Sequence, residues 1–393
     1  MKFDLDEQIS RRGTLSLKWD QGEALFGDAD VLPLWVADMD FKCPPAVIEA
    51  LTKRAKQGIF GYTNRSHEYL DAITNWFKKR HDWNIDPTWL TDSPGVVPSL
   101  SISVEALTEP GDEVILQSPV YNPFYNVIVR NGRKLAESPL LFKNGRYEMD
   151  YEKLESFMQN GAKLLLLCNP HNPGGRVWAK EELERLGTLC IKYGVKVVSD
   201  EIHCDLVFRG NRHTPFASIS EQLADITVTC LAPSKTFNIP GLQTSFTVIS
   251  NPQLRRKFVN RMETLALGDV NFFGPVATIA AYQEGVEWLD AVLEYVHGNV
   301  EFTIAYFSEH IPALKPVRPE GTYLLWVDCR ALGLSSDEMK QLMYQEAKIA
   351  FTEGSIYGTG GEGFLRINLA CPRQLLAEAL SRFSIATAAK LGS

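Results

Sequence analysis

A chain of 393 residues with 45% hydrophobic and 22% charged residues has the balance of an ordinary globular protein and is long enough for a large core spread over two domains. Its net charge of −8 excludes a basic nucleic-acid footprint and argues against an anionic membrane surface as partner. The opening MKFDLDEQIS lacks the apolar stretch of a signal peptide, apolar runs such as Leu164 to Cys168 are only strand-sized, and the seven scattered cysteines form no C-x-x-C pair; together these point to reduced thiols in a cytoplasmic protein.

The opening stretch, to about Cys43, ends in LPLWVADMDFKCPP and mixes polar with apolar residues, which suits an arm lying on other structure. From Pro44 the pattern AVIEALTKRAKQG predicts a helix stopped by Gly58, and HEYLDAITNWFKKRH predicts a second. Ser93-Pro94-Gly95-Val96-Val97-Pro98-Ser99 then precedes the helical LSISVEAL. Gly95 lets the backbone approach a ligand, Pro98 suits a first helical turn, and the free N–H groups there form a ready phosphate site. Strands are predicted at Glu113–Gln117, Lys163–Cys168, Val195–Ser199, Thr227–Leu231 and Thr244–Ile249, with the amphipathic KEELERLGTLCIKYG between two of them. This alternation predicts an α/β fold with a mostly parallel sheet covered by helices.

Several chemistry-bearing residues follow the ends of these strands. Tyr121 comes after the first, where an aromatic face can stack on a ring. Asn169-Pro170-His171-Asn172-Pro173-Gly174-Gly175 follows the second, and its prolines and glycines specify a tight turn that holds Asn172 where it can donate to a ligand oxygen. Asp200 falls at the carboxyl edge of the third, where open α/β sheets bind ligands. A carboxylate there can hold a protonated ring nitrogen; it can also cap a helix. His203 can reach the same ligand or rest as an ordinary loop histidine. His203, Cys204 and Asp205 also suggest metal ligands, but adjacent side chains cannot all point into one tetrahedral site, so no metal is expected. The fourth strand leads into Ala232-Pro233-Ser234-Lys235-Thr236-Phe237-Asn238. A lysine at a strand end in a cleft can lose its charge by desolvation and act as nucleophile or base, and Ser234 can hydrogen-bond an anion.

After about Gly285 the pattern changes to long helices and the strands GTYLLWVD, IAF and GFLRINLA, which predicts a smaller α+β domain. Gly358, Gly360 and Gly363 spell G-x-G-x-x-G, but they lead into a strand instead of a helix and so read as a glycine-rich turn. Arg366 within GFLRINLA is costly to bury without an anion; the partner is a substrate carboxylate or a protein one.

As a set, S-K-T-F-N-x-P-G, N-P-H-N-P-G-G and D-E-x-H stand in the order and spacing of the fold type I pyridoxal 5′-phosphate (PLP) enzymes, and nearly the whole chain resembles the aspartate aminotransferase superfamily, class I/II aminotransferase-like. WVADMDF (Trp35–Phe41), GYT (Gly61–Thr63), SPGVVPSLS (Ser93–Ser101), SDEIHCDLVF (Ser199–Phe208) and PSKTFNIPGLQ (Pro233–Gln243) are closer still to the MalY/PatB-type cystathionine β-lyase (C–S lyase) subgroup.

The resemblance implies a PLP-dependent transferase-like large domain over 46–285 with a mostly parallel seven-stranded sheet, a smaller α+β domain over 286–393, and an N-terminal arm over 1–45. It implies that Lys235 binds PLP covalently, Asp200 pairs with the pyridine nitrogen, Asn172 and His203 address the phenolic oxygen, and Tyr121 stacks on the ring. Val96, Val97 and Ser234 would hold the phosphate, and Tyr62 would reach the phosphate of the neighbouring subunit in a homodimer. Arg366, helped by Asn172 and the Ala37–Asp38 backbone, would bind the substrate α-carboxylate. Many superfamily members carry arginine where this chain has Gln243, so no phosphate contact is assigned to it. The implied reaction is β-elimination from L-cystathionine or related cysteine S-conjugates. An aminotransferase with the same site is the alternative, followed by a regulatory binding protein that retains a PLP site.

Overall fold

Leu164–Cys168, Lys196–Asp200 and Thr227–Leu231 are buried along nearly their whole length. Strands of that kind are stable only in the middle of a sheet covered on both faces. The computed structural model, which describes residues 3–391, puts them there. In chain order the first part contains α1 (Pro45–Lys56), α2 (His67–His81), β1 (Leu90–Ser93), α3 (Val96–Leu107), β2 (Glu113–Leu116) and β3 (Lys134–Glu137). It continues through β4 (Leu164–Cys168), α4 (Lys180–Tyr193), β5 (Lys196–Asp200), β6 (Thr227–Leu231) and β7 (Ser245–Val248).

The seven strands run in the order β1-β7-β6-β5-β4-β2-β3. Only β7 is antiparallel to its neighbours; every other pairing is parallel. The expected mostly parallel sheet is therefore present. Sequence patterning missed β1 and β3. Both are edge strands, LTDS and KLAE, half solvated and lacking the apolar run that marks a central strand. Helix limits follow local chemistry. The Ser66 hydroxyl accepts the Tyr69 amide and starts α2. Gly194, at φ +68°, closes α4 by turning its N–H back onto Cys190 and Ile191.

The second part holds α5 (Val286–His310), β8 (Lys315–Val317), β9 (Leu324–Asp328), β10 (Thr352–Glu353), β11 (Phe364–Asn368) and α6 (Arg373–Leu391). Its strands form an antiparallel sheet in the order β8-β9-β11-β10. The glycine-rich stretch before β11 is a turn, as expected. The predicted strand IAF joins the arm instead of the small sheet: Ile349 and Ala350 pair in parallel with Leu32 and Pro33.

The polar residues of the arm have partners. Lys18 is buried and pairs with Asp40 at 2.6 Å, while Arg11 spans Asp38 at 2.6 Å and Asp40 at 2.8 Å. Trp19 Nε1 donates to the same Asp40 carboxylate at 2.9 Å. These bonds hold the WVADMDF segment against the body of the protein. All seven cysteines are free thiols, and among the described residues no helix is long and apolar enough to cross a membrane.

A candidate cofactor site at the carboxyl edge of the sheet

Parallel strands present their carboxyl ends on one side, and the loops there form the crevice where ligands bind. β4, β5 and β6 end side by side, with Cys168 opposite Asp200 and Asp200 opposite Cys230. Asp200 is the last residue of β5. Asn172 lies four residues past β4, in a turn whose Asn169–Pro170 and Asn172–Pro173 peptides are cis. Lys235 lies four residues past β6, in the helical turn Pro233–Thr236. These three residues line one cavity of about 220 Å³ with Ala37, Val96, Val97, Tyr121, His203 and Ser234.

Burial dominates the electrostatics. It pulls the Lys235 ammonium pKa down to about 8, against the raising influence of Asp38 and Asp200 and with Arg366 adding to the fall. Lys235 Nζ donates to the Ala37 carbonyl at 2.5 Å. Burial pushes the Asp200 carboxyl up to about 7, although the Ile202 amide and the Lys235 charge oppose it. A cation brought to Asp200 would restore its ionised form. Burial, with the positive charges of Lys235 and Arg366, lowers His203 to about 3, so its imidazole is neutral. His203 Nδ1 is buried without a hydrogen-bond partner.

Arg366 lies on β11 and is nearly fully buried. Nη1 donates to Asn172 Oδ1 at 3.1 Å and Nη2 to the Trp35 carbonyl at 2.7 Å, while Nε has no partner. Among the described residues no carboxylate pairs with this guanidinium. A buried cation with an unused donor and only neutral acceptors is an anion site in waiting. The Tyr357 ring lies 5.3 Å from it.

The donor set suits a phosphorylated pyridine aldehyde. α3 starts at Gly95 with no side-chain cap, so the Val96 and Val97 amides lack helical acceptors and favour an anion. Ser234 adds a hydroxyl, Asp200 a carboxylate for a ring nitrogen, and Lys235 an amine that can be uncharged near neutral pH. Besides Arg366, which reaches Asn172 from behind the wall, three residues singled out in the sequence stand apart from the cavity lining. Tyr62 is fully exposed. The Asp38 side chain turns to Arg11 and Lys18, and its amide donates to the Val36 carbonyl at 2.9 Å. Gln243, at φ +48°, is exposed.

Sequence reasoning missed Tyr323. Its buried hydroxyl donates at 2.8 Å to Ala37 O, the acceptor Lys235 also uses, and its ring meets His203 edge-on with centroids 5.9 Å apart. GTYLLWVD reads only as a strand, and nothing local announces a hydroxyl whose partner is 286 residues away. Cys168 and Ile202 also line the cavity; both read as core residues.

Comparison with known proteins places the chain in a family. The family model for aminotransferase class I and II matches residues 29–383. Cystathionine β-lyase PatB of Bacillus subtilis is 47% identical over 98% of this chain and 100% of its own. A PLP-bound putative aminotransferase from Clostridium difficile superposes with a TM-score of 0.96 at 46% identity, covering 98% of this chain and 100% of that one. Cystalysin from Treponema denticola, whose structure contains a pyridoxal 5′-phosphate cofactor, also gives a TM-score of 0.96, at 41% identity over 98% of this chain and 99% of that one. The chain therefore belongs to the aminotransferase class I and II family, in its PLP-dependent branch of PatB/MalY-type cystathionine β-lyases.

Proposed function

We propose that the chain is a PLP-dependent carbon–sulfur β-lyase that acts on L-cystathionine or a related cysteine S-conjugate. The observation that carries the reading is one cavity in which Lys235, its pKa lowered to about 8, shares a wall with Asp200 and lies within the field of Arg366, in a chain nearly half identical to PatB. What PLP supplies when bound is an electron sink, the pyridinium ring, for the electron pair left on the substrate's Cα.

The chain's own residues do the rest. Lys235 would anchor the cofactor through its amine, and the same amine, when free, would be the base that takes the Cα proton. Asp200 would pair with the ring nitrogen and keep it protonated. The Val96 and Val97 amides and the Ser234 hydroxyl would hold the phosphate. Asn172 and His203 would address the phenolic oxygen, and Tyr121 would cover the ring. Arg366 holds the α-carboxylate, supported by Asn172 and by the Ala37–Asp38 segment. Loss of the Cα proton and departure of the thiolate from Cβ leave an enamine, which water converts to pyruvate and ammonia; cystathionine gives homocysteine as the thiol.

We assign residues 46–285 to the cofactor-binding domain, 286–393 to the smaller domain and 1–45 to the arm. The working unit is a homodimer in the cytoplasm. In support, Ile59, Phe60 and Tyr62 form an exposed apolar stretch of the kind that subunit contacts cover, and free thiols suit a reducing compartment.

Two expected outcomes test this reading. With L-cystathionine or L-cystine the enzyme yields pyruvate, ammonia and a thiol-containing product over many turnovers with no keto acid added, because elimination returns the cofactor to its starting state. Turnover that stops after one equivalent and resumes only with a 2-oxo acid makes it an aminotransferase. The second outcome concerns composite sites. Tyr62→Phe protein mixed with Lys235→Ala protein recovers activity, since a hybrid dimer has one site bearing both lesions and one bearing neither. No recovery after verified subunit exchange means that each site is built from one chain.

A further inference from the structure

Lys235 is carried on a helical turn of only four residues, Pro233–Thr236. So short a turn is too weakly bonded to hold a side chain in place by itself. Its lateral anchor is the next residue. Thr236 is fully buried, and its hydroxyl donates to Asp205 Oδ2 at 2.9 Å. Asp205 is buried as well, and its other partners all come from α2. Trp76 Nε1 donates to Oδ1 at 3.1 Å, His81 Nε2 lies 2.8 Å from Oδ1, and the Arg80 guanidinium is ion-paired with it at 3.4 Å. The Trp76 ring is itself stacked on Tyr282 with centroids 5.0 Å apart. Burial works to raise the Asp205 carboxyl pKa, but the His81 bond, the charges of His81 and Arg80 and the Thr236 hydroxyl outweigh it and hold the group below its usual value.

Asp205 closes the turn that begins at Asp200, where the Cys204 and Leu206 amides donate to the Glu201 and His203 carbonyls at 2.9 Å each. One carboxylate thus ties together three segments: α2, the turn bearing Asp200 and His203, and the turn bearing Lys235. Neither Asp205 nor Thr236 lines the cavity, so the assembly acts from behind the site. His81, Cys204 and Asp205 do bring ligand atoms within 4.8 Å of one another. The carboxylate is already saturated with donors, however, and a dication would sit beside the Arg80 cation, so the cluster is organised as an ion-pair junction and not as a metal centre.

We propose that Asp205, acting through the Thr236 hydroxyl, is a positioning residue that sets the place of the Lys235 amine against Asp200 and His203. The inference rests on the lyase reading only for its turnover measurement. A misplacement of order 1 Å is enough to cost about 100-fold in rate without loss of the fold.

The test compares Thr236→Val, which keeps volume but removes the hydroxyl, with Thr236→Ser, which keeps the hydroxyl, both as holoenzyme. The readouts are kcat and KM for cystathionine cleavage, visible circular dichroism of the lysine-bound cofactor, and the melting temperature. Thr236→Val is expected to lower kcat by about 10- to 100-fold with KM within about twofold. It should also change the visible dichroism while the protein still melts cooperatively, and Thr236→Ser should restore both signals. Should Thr236→Val fail to fold, His81→Gln, which removes a different partner of Asp205, is expected to change the dichroism and kcat in the same direction. An unaltered kcat and dichroism in Thr236→Val, or equal impairment in Thr236→Ser, overturns the proposal. So does a stoichiometric metal whose removal by a chelator reproduces the defect. If cystathionine is not cleaved even by the unmodified protein, the lyase reading fails, and the dichroism of the variants still decides the positioning role.

Discussion

Replacing Lys235 by alanine is expected to abolish turnover and the visible absorbance band of the lysine-bound cofactor together. The amine lines the cavity and donates to the Ala37 carbonyl; among the described residues no other lysine lines that cavity. Desolvation has already lowered the cost of making it a nucleophile, since its pKa is near 8, where an appreciable fraction is uncharged at neutral pH. An exposed lysine near 10.4 would be almost wholly protonated there. Absorbance spectroscopy and borohydride reduction followed by peptide mapping check the assignment. A Lys235→Ala protein that still forms a reducible bond with PLP at another lysine sinks it.

Asp200→Ala is expected to weaken cofactor binding and to lower the elimination rate by about two to three powers of ten. Removing one member of a buried ion pair costs about 3–5 kcal/mol, and the ring nitrogen left without its carboxylate releases its proton, so the electron sink fails. Near wild-type kinetics with PLP bound would reduce Asp200 to a structural cap. The same residue makes a prediction about the cofactor-free protein. Folding raises the Asp200 pKa from 3.8 to about 7 because the charged form is desolvated. The folded state therefore keeps a proton that the unfolded chain releases, and stability relative to an Asp200→Asn variant is fully present below about pH 4 and lost as pH rises to about 7. At about 1.4 kcal/mol for each pH unit separating the unfolded and folded pKa, the loss is at most about 4 kcal/mol. Cofactor-free Asp200→Asn should thus gain melting temperature over the unmodified chain at pH 8 much more than at pH 5. Equal differences at the two values would mean that Asp200 is ionised throughout.

Strand and helix periodicity, together with the turn chemistry of Asn169–Gly175 and the Gly194 stop, determined the parallel sheet and its coverage, because burial of both faces imposes continuous apolar runs that local reading detects. The same alternation placed Tyr121, Asn172, Asp200 and Lys235 at one edge before any contact was known, since parallel strands share a carboxyl side. What needed the tertiary structure were pairings between residues far apart in the chain. The solvated edge strands Leu90–Ser93 and Lys134–Glu137 exist because a neighbour supplies their hydrogen bonds, not because their own residues favour them. Tyr323 shares the Ala37 carbonyl with Lys235, Arg366 turns to Asn172 and Trp35, and Asp205 joins α2 to Thr236. Each is a directional bond a few ångströms long between segments more than 30 residues apart, and a periodicity of two or 3.6 residues carries no information about such a bond.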